Sequence, residues 1–397
     1  MSYARLRLKK NEERRIKSGH LWVYSNEIDV AATPLSGFEP GAPVVIEENN
    51  GRALGVGYVN PHSLIAARIV SRHADHELNR SLLVHRLQVA LSARETRFSE
   101  PYYRLVFGES DLLPGVVIDR FGGHFVVQIS TAGMEALKDD LIDALTKVCK
   151  PESILLRADS SMRALENLDS YVAQAHGVTP ELVELIENGV KFRAPVHTGQ
   201  KTGWFYDHRL NRESLKPYVK GKRVLDVFSY IGAFGVQAAA FGASEVWCVE
   251  ASEKALDWLH ANAELNGVDE KITSVEGDAF EALKQLKESG EHFDVVVLDP
   301  PAFIKRKKDS KEGLLAYRRI NELALRLLGK DGILLSASCS MHLSRDELLD
   351  SVRGAGRHLD RHVVVLEQGH QGPDHPVHPA IPETEYLKSF TCRAVLA

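Results

Sequence analysis

The chain has 397 residues, which is long for one ordinary domain and suits two or three. Hydrophobic residues make up 44% and charged residues 26%, close to the globular average, so a collagenous or mostly disordered chain is excluded. The formal net charge of -5 hides an asymmetry, because residues 1–20 hold seven Lys and Arg against Glu12 and Glu13. Local basic segments on a mildly acidic chain suggest a polyanionic partner, with solvated surface charge as the alternative.

Membrane and secretory signals are missing from the sequence. No run of 18 apolar residues occurs, so we expect no membrane partner. The basic N-terminus lacks the apolar stretch of a signal peptide. The four cysteines are spread out without a CxxC pair, which argues against a disulfide scaffold or a zinc site and predicts a cytoplasmic protein.

The first 188 residues predict two different folds in turn. Residues 1–75 show short apolar stretches between turn signals such as Asn60-Pro61, which predicts a small β-barrel-like module. Residues 76–188 are predicted to be α+β. The predicted elements around this section are helices over 73–95 and 134–148 and strands over 116–118, 125–129 and 154–156.

From residue 189 onward, strands and helices alternate. Continuous apolar strands joined by helices indicate an α/β domain with a parallel sheet covered on both faces. The predicted strands are 223–227, 245–249, 272–275, 293–298, 332–337, 363–366 and 389–396, and the predicted helices are 233–241, 252–265, 279–288, 314–328 and 344–357.

Ligands of such a sheet bind outside the carboxyl ends of its strands. The first strand carries Asp226 and leads into a turn with Gly232 and Gly235, which predicts close backbone approach to a ligand or only a tight strand–helix turn. The second strand ends at Glu250, which can accept both hydroxyls of a ribose, as it also would in a nicotinamide dehydrogenase. The third strand leads to Asp278, which can hold an adenine amino group or cap the next helix.

The fourth and fifth strands end in residues suited to chemistry on a planar base. Asp299 is followed by two prolines and, shortly after, by Phe303; the prolines remove amide donors and stiffen the turn. A rigid acid beside an aromatic ring suits a base that must be gripped and protonated, with a structural turn as the alternative. The fifth strand places Cys339 at the same rim, whereas Cys149, Cys248 and Cys392 are expected to be buried small hydrophobes.

Taken together, these residues resemble the class I S-adenosylmethionine (SAM)-dependent methyltransferases. More closely, the chain is similar to the bacterial large-subunit ribosomal RNA cytosine-C5 methyltransferases of the RlmI type. The resemblance covers nearly the whole chain, and the order and spacing of its motifs are more specific than any single motif. Besides the strand ends described above, it includes the segments 8–15, 18–27, 108–115 and 198–205.

The resemblance implies a fold, a cofactor and a partner. The fold is a PUA-like RNA-binding domain over 1–75, an α+β middle domain over 76–188 and a Rossmann-like methyltransferase domain with a mostly parallel seven-stranded sheet over 189–397. The cofactor is SAM and the partner is 23S rRNA, while a homodimer stays open. The residues implied to line the cofactor pocket are Gln200, Asp226, Tyr230, Gly232, Glu250, Asp278 and Asp299.

The resemblance also implies roles for two residues in catalysis. Cys339 is the expected nucleophile, adding as a thiolate to C6 of cytosine, and Asp299 is expected to contact N3 and the exocyclic amine and to offer a proton. Many RNA cytosine-C5 methyltransferases carry a second cysteine just after the aspartate–proline motif. Ala302 and Phe303 occupy that stretch here, so the base that removes the C5 proton is not identified.

The RNA is expected to contact two further features. A base that undergoes chemistry must be unstacked, and Phe303 is expected to stack on it. The basic run 305–311 directly follows the catalytic turn and is expected to contact phosphate.

Three other functions compete with this interpretation. A nucleobase methyltransferase acting on nitrogen or on guanine would share the 199–203 segment and the aspartate–proline turn, but such relatives lack a cysteine equivalent to Cys339. A dehydrogenase is supported only by the glycine turn and Glu250. A non-catalytic RNA-binding protein is supported only by the basic segments.

Overall fold

A computed structural model describes residues 3–396, which form two compact units. The chain passes between the units several times, because two later segments belong to the first unit. The first unit contains the residues up to Leu185 together with Ala194–Tyr206 and Pro373–Thr384, and the second contains Ile186–Arg193, Asp207–Gly372 and the residues from Glu385 onward. The domain boundaries predicted after residues 75 and 188 stay predictions.

The first sheet of the first unit is a small mixed sheet, as the dense turn signals predict. Its strand order is β1-β3-β4-β5-β2, with β1 parallel to β3 and the other pairs antiparallel. Apolar side chains of these strands pack into one buried cluster. The elements are β1 Ala4–Arg7, α1 Glu13–Lys17, β2 Trp22–Tyr24, β3 Pro43–Glu47, β4 Ala53–Val59 and β5 Ile65–Ser71.

The second sheet of the first unit carries helices against it, as expected for an α+β fold. Its order is β10-β9-β8-β7-β6, and only the β8–β9 pair is parallel. The predicted helix start at residue 73 is wrong, because the Asn79 side chain accepts from the Ser81 amide at 3.0 Å and caps the helix there. The elements are α2 Arg80–Arg97, β6 Tyr102–Phe107, β7 Val116–Phe121, β8 His124–Ile129, α3 Ala132–Ala136, α4 Lys138–Cys149, β9 Ser153–Ala158 and β10 Tyr171–His176.

A two-stranded ribbon follows, which the sequence analysis did not predict. It consists of β11 Leu182–Glu187 and β12 Val190–Pro195. The turn between them has positive φ at both Asn188 (54°) and Gly189 (80°). An Asn-Gly pair in this conformation is the strongest short-range hairpin signal, so the ribbon was readable from the sequence.

The second unit is built on a seven-stranded sheet with the order β15-β14-β13-β16-β17-β19-β18. The first five strands in this order run parallel, and β19 is antiparallel to both of its neighbours, so the predicted α/β class with a mostly parallel sheet is confirmed. The strands are β13 Arg223–Val227, β14 Glu245–Glu250, β15 Ile272–Glu276, β16 Phe293–Leu298, β17 Leu328–Ser338, β18 Arg361–His370 and β19 Lys388–Leu396, and the helices are α5 Arg209–Glu213, α6 Lys216–Val219, α7 Ala233–Ala240, α8 Glu253–Leu265, α9 Ala279–Glu288, α10 Ser310–Leu327 and α11 Arg345–His358.

The helices of this unit begin where side chains can satisfy their free amides. The Ser252 hydroxyl accepts from the Ala255 amide at 3.3 Å and starts α8, as predicted. Ser344 and Glu347 form a reciprocal capping box at the start of α11. Helices α9, α10 and α11 pack with the central strands into one buried cluster. Across residues 3–396, none of the helices combines the length and apolar character needed to span a membrane.

Candidate active site

The sheet register brings the ends of five strands to one edge of the second unit. In β13, β14 and β16, Val227 lies opposite Val249 on one side and Leu298 on the other. Strand β17 pairs Ser336 with Leu298 and continues for two residues beyond it. The connections after these parallel strands therefore leave from the same edge. Those connections carry the predicted site residues Tyr230, Gly232, Asp278, Asp299 and Cys339, while Asp226 and Glu250 lie within the last residues of their strands.

The turn after β13 has an unusual backbone. Phe228, Tyr230 and Gly232 all have positive φ, at 67°, 48° and 85°. Non-glycine residues rarely adopt this conformation, and a cluster of them marks a turn that its surroundings hold in place. At Gly232 a Cβ atom would also lie 2.8 Å from the Leu259 side chain. Both the backbone conformation and the lack of space therefore favour glycine at this position.

Gly235 has a packing role, and a ligand contact at this glycine stays a prediction. A Cβ atom at this position would lie 2.5 Å from the sulfur of Cys248 in β14 and 3.2 Å from Oδ2 of Asp226. Helix α7 can lie this close to the sheet only without a side chain here. The close approach also lets the Gly235 amide donate to Asp226 Oδ2 at 2.8 Å.

Asp226 is a buried carboxylate with one unused oxygen. Its side chain is almost fully enclosed, and Oδ1 has no hydrogen-bond partner within residues 3–396. Burial, together with the negative charges of Asp299 and Glu250, raises the pKa of Asp226 to about 7. A buried acceptor without a partner is costly and is a reason to expect a ligand with donors or positive charge at this point.

Glu250 holds the turn and the start of α8 with its carboxylate. Oε2 accepts from the Tyr230 amide at 2.9 Å, and Oε1 accepts from the amides of Ala251 and Ser252 at 3.0 Å each. Each carboxylate oxygen can accept about two hydrogen bonds, so Oε2 keeps capacity for a ribose hydroxyl. The Glu250 carboxylate therefore shapes the turn whether or not it also contacts a ligand.

Asp278 is an exposed helix cap, which is the alternative that the sequence left open. Its Oδ1 atom accepts from the amides of Phe280 at 2.9 Å and Glu281 at 3.2 Å, at the start of α9. The helix thereby gains partners for two of its free amides. A contact with adenine stays a prediction.

Asp299 has a partner that the sequence analysis missed. Its Oδ1 atom lies 3.0 Å from Nε2 of His208, whose ring is buried, while the Asp299 side chain is 26% exposed. The Asn211 amide lies 3.1 Å from Nδ1 of the same ring. Because that amide nitrogen can only donate, a neutral ring carries its proton on Nε2, facing Asp299.

The charge state of His208 follows from its neighbours. Burial lowers its pKa, but the carboxylates of Asp299 and Asp207 outweigh burial, so the pKa of His208 is raised above its usual value. The Asp207 carboxylate also accepts from the Tyr386 hydroxyl at 2.5 Å. The Asp299 carboxylate therefore favours the protonated form of the His208 ring.

Cys339 follows β17 directly and carries a partly exposed thiol that is not part of a disulfide. The residues on both sides of it are anchored. The Ser338 hydroxyl lies 2.7 Å from that of Tyr317, and the Ser340 hydroxyl donates to the Ile304 carbonyl at 2.6 Å. The second bond ties the cysteine turn to the loop that Asp299 begins.

The other three cysteines are suited to packing. Cys248 and Cys392 are fully buried, and Cys149 lies at the end of α4. Burial raises the pKa of Cys149 to about 11 and that of Cys392 to about 12, and it raises that of Cys248 well above the usual value. Thiols with such pKa values form almost no thiolate at neutral pH.

Phe303 lies in an aromatic cluster near this rim. Its ring centroid is 4.8 Å from that of Tyr317, 5.9 Å from that of Phe280 and 6.4 Å from that of Phe228. Burial raises the pKa of Tyr317 to about 12, and the charges of Cys339 and Asp299 contribute in the same direction. The charges of both predicted catalytic residues therefore influence the pKa of Tyr317. Stacking of Phe303 on a base stays a prediction.

Gln200 belongs to the first unit, unlike the other predicted cofactor residues. It lies in an exposed turn whose Gly203 amide donates to the Gln200 carbonyl at 2.8 Å. The segment is anchored by Arg157, which donates to the carbonyls of Val196 at 2.5 Å and Gly199 at 3.1 Å. Its role toward the cofactor stays a prediction.

Comparisons with known proteins decide the family. A family model described as "S-adenosylmethionine-dependent methyltransferase" matches residues 162–385. A second family model, described as "PUA-like domain", matches residues 6–72. "Ribosomal RNA large subunit methyltransferase I" from Erwinia tasmaniensis is 36% identical, covering 98% of this chain and 99% of the relative. The protein of that name from Tolumonas auensis is 38% identical, with 98% of each chain covered. The chain belongs to this family of SAM-dependent methyltransferases.

Solved structures agree on the fold. A Streptococcus mutans protein described as a SAM-dependent methyltransferase superposes with a TM-score of 0.82 at 21% identity, covering 98% of this chain and 100% of that one. SMU.776, solved with S-adenosylhomocysteine, gives a TM-score of 0.83 at 21% identity with the same coverage. The match to a PUA-like domain confirms the N-terminal part of the predicted fold class. Membership of the methyltransferase family excludes the dehydrogenase that the sequence had left as an alternative.

The residues of this methyltransferase suit a cofactor that carries positive charge. Asp226, Glu250 and Asp299 place three carboxylates close enough for the last two to raise the pKa of the first. SAM carries a sulfonium and an ammonium group, so this cluster and the unused Oδ1 of Asp226 match its charge.

Proposed function

We propose that this enzyme methylates C5 of a cytosine in 23S rRNA and that Cys339 forms a covalent bond to C6 of that base. The observation that carries the proposal is the bond of 2.6 Å between the Ser340 hydroxyl and the Ile304 carbonyl. It joins the turn of a partly exposed thiol to the loop that begins with Asp299. The names of the curated relatives, which act on large-subunit ribosomal RNA, support the class of substrate.

The chemistry needs a nucleophile because C5 of cytosine is itself a weak one. In the proposed first step, the Cys339 thiolate adds to C6, and electron density moves through the ring to C5. SAM, when bound, supplies the methyl group as an electrophilic carbon on sulfur. Asp299 accepts from the exocyclic amine and passes a proton to N3, where negative charge develops. His208, 3.0 Å from Asp299, is placed to replenish that proton.

The second half of the reaction restores the aromatic base. A base removes the proton from C5, the electron pair reforms the C5–C6 double bond, the bond between C6 and sulfur breaks, and N3 returns its proton to Asp299. Cys339 leaves as a thiolate and is ready for another turnover. No residue is assigned to the removal of the C5 proton.

RNA binding is proposed to involve both basic segments, to different degrees. In residues 1–20, Arg5 and Arg7 pair with Glu47 at 2.7 and 2.8 Å, and Arg15 pairs with Glu27 at 2.6 Å. Local acids therefore neutralise much of this segment, which favours a structural role for these arginines. The exposed run that starts at Lys305 keeps its lysines at the surface, with Arg306 paired to Asp309 at 3.0 Å.

The decisive experiment compares methylation of rRNA by the wild type and by cysteine variants. Ribosomal RNA from cells lacking the enzyme is incubated with labelled SAM and digested, and the methylated nucleosides are identified by mass spectrometry. We expect 5-methylcytidine from the wild type and from Cys149→Ala, and no product from Cys339→Ala. A methylated guanosine or an N-methylated base would replace the C5 proposal with the competing nucleobase methyltransferase.

A trapping experiment tests the covalent step separately. RNA containing 5-fluorocytidine cannot lose fluorine as it would lose the C5 proton, so the adduct should persist on a denaturing gel. We expect a shifted band that depends on SAM and on Cys339, and that forms with Cys149→Ala. A band of the same intensity with Cys339→Ala would rule out this nucleophile.

A further inference from the structure

Lys388 is a buried cation at the start of β19, directly beside the cysteine turn. It pairs in register with Ser338 of β17 on one side and with His370 of β18 on the other. Only 6% of the residue is exposed. A charged lysine is almost never buried to this degree without partners, because removing an ammonium group from water is costly.

The partners of Lys388 both belong to the turn that begins at Cys339. Its Nζ atom donates to the Ser340 carbonyl at 2.6 Å and to the Leu343 carbonyl. An ammonium group has three N–H bonds, and two of them are accounted for by these carbonyls. The cation is therefore fixed one residue away from the sulfur-bearing residue by two contacts on the same turn.

The other charged groups near Lys388 are arranged around the same turn. Arg345 and Glu347 face it from the first turn of α11, and Glu385 faces it from the segment before β19. Glu347 is already engaged by the Ser344 amide and hydroxyl at 2.8 Å each. Tyr317 of α10 is a further titratable group whose pKa is raised by the charge of Cys339.

The electrostatic coupling between Lys388 and Cys339 has a definite direction. Burial lowers the pKa of Lys388 to about 8, and the charge of Cys339 opposes that shift. Coupling between two ionising groups is reciprocal, so an ammonium stabilised by a thiolate stabilises that thiolate equally. Without help, a cysteine is mostly a neutral thiol at pH 7, and only the thiolate is nucleophilic.

We propose that Lys388 is a positioning residue that fixes the Cys339 turn and supplies the positive charge that favours the Cys339 thiolate. The inference rests on the proposed role of Cys339 as a nucleophile. The inference assigns a role in the reaction to Lys388, which lies on the antiparallel strand β19 and is distant from Cys339 in sequence. A merely structural lysine would hold the turn without changing the ionisation of the thiol.

Alkylation of Cys339 by iodoacetamide across pH 5.5–9.5 separates these two roles. The protein is kept folded without RNA, and the modified peptides are quantified by mass spectrometry, with Cys149 as an internal control. We expect Lys388→Met to raise the midpoint pH for Cys339 by about one unit and to slow its alkylation at pH 7 roughly tenfold. Lys388→Arg keeps the charge and should keep most of the effect, and the Cys149 profile should not change.

An unchanged midpoint in folded Lys388→Met would overturn the proposal. Circular dichroism and SAM calorimetry establish that this variant is folded. If it does not fold, the wild type alone decides the matter, because its Cys339 midpoint must lie below that of the same cysteine in the urea-unfolded chain. A midpoint at or above the unfolded value contradicts the proposal. The readout needs no methyl transfer, so failure of the nucleophile proposal, seen as an active Cys339→Ala variant, is distinguishable from failure of this one.

Discussion

Nε2 of His208 lies 3.0 Å from Oδ1 of Asp299, although one residue precedes β13 and the other follows β16. The imidazole is buried, and its other nitrogen is fixed by the Asn211 amide. The contact with Asn211 therefore fixes the ring with Nε2 facing the Asp299 carboxylate. This arrangement gives Asp299 a source of protons next to the proposed substrate base.

The pH dependence of methyl transfer should contain the ionisation of this pair. The pKa of His208 is raised, so its charge is present at low pH and is lost as pH rises through that value. We expect the single-turnover rate to fall as pH rises through that ionisation, and we expect His208→Gln to remove this dependence and lower the rate at pH 6.5 at least about tenfold. His260 of α8, whose Nε2 atom lies 2.9 Å from the Ser274 hydroxyl, offers the control His260→Gln. Identical pH profiles for wild type and His208→Gln would contradict this role.

The stability of the cofactor-free enzyme should depend on pH through Asp226. The pKa of Asp226 in the folded state, about 7, lies above its value in the unfolded chain. The folded state therefore binds this proton more tightly, and the resulting contribution to the free energy of unfolding is lost as pH rises from about 4 to 7. The loss is roughly 4 kcal/mol as an upper bound, from about three pKa units. Urea unfolding at pH 4, 6 and 8 should show a flatter dependence for Asp226→Asn, whereas exposed Asp257→Asn should behave as wild type. An equally steep dependence in Asp226→Asn would rule out Asp226 as its source.

Two variants of Asp278 separate helix capping from cofactor contact. Asp278→Ala removes the acceptor of the Phe280 and Glu281 amides and should destabilise the unit by about 1 kcal/mol, measured by urea unfolding. Asp278→Asn keeps a capping oxygen and should be nearly as stable as wild type. If the carboxylate also binds the adenine amino group, calorimetry will show weaker SAM binding in both variants. Unchanged SAM binding in both would leave Asp278 as a cap alone.

The salt dependence of RNA binding tests the basic run after the catalytic turn. Replacing Lys305, Lys307 and Lys308 by Ala should reduce the slope of log affinity against log salt by about 2, since each lost phosphate contact in single-stranded RNA contributes about 0.7. The control replaces Lys216, Lys220 and Lys222, which are also exposed but precede β13 at the amino edge of the sheet. An equal reduction in both triple variants would indicate general charge attraction without a defined contact at the 305–308 run.

Local patterns in the sequence determined the sheet and its functional edge. Alternating apolar strands and helices predict a parallel sheet, and a parallel sheet places all its strand ends at one edge. The same pattern predicts that Asp299 and Cys339 lie at a common rim. The order of the motifs then predicted the family and the cofactor that the comparisons show. The sequence also offered helix capping as an alternative role for Asp278, because a cap contacts amides only two or three residues away.

Only the tertiary structure decided which distant residues lie beside that rim. Nothing in the spacing of His208 and Asp299, or of Lys388 and the turn that begins at Cys339, indicates a contact, because the fold brings each pair together without helix or strand periodicity. Gly235 is equally instructive: a glycine in a turn suggests a ligand, but the facing Cys248 sulfur requires it for packing. Sequence patterns reveal contacts that follow helix or strand periodicity. Contacts of buried charged groups with residues distant in sequence depend on which segments become neighbours in the folded chain.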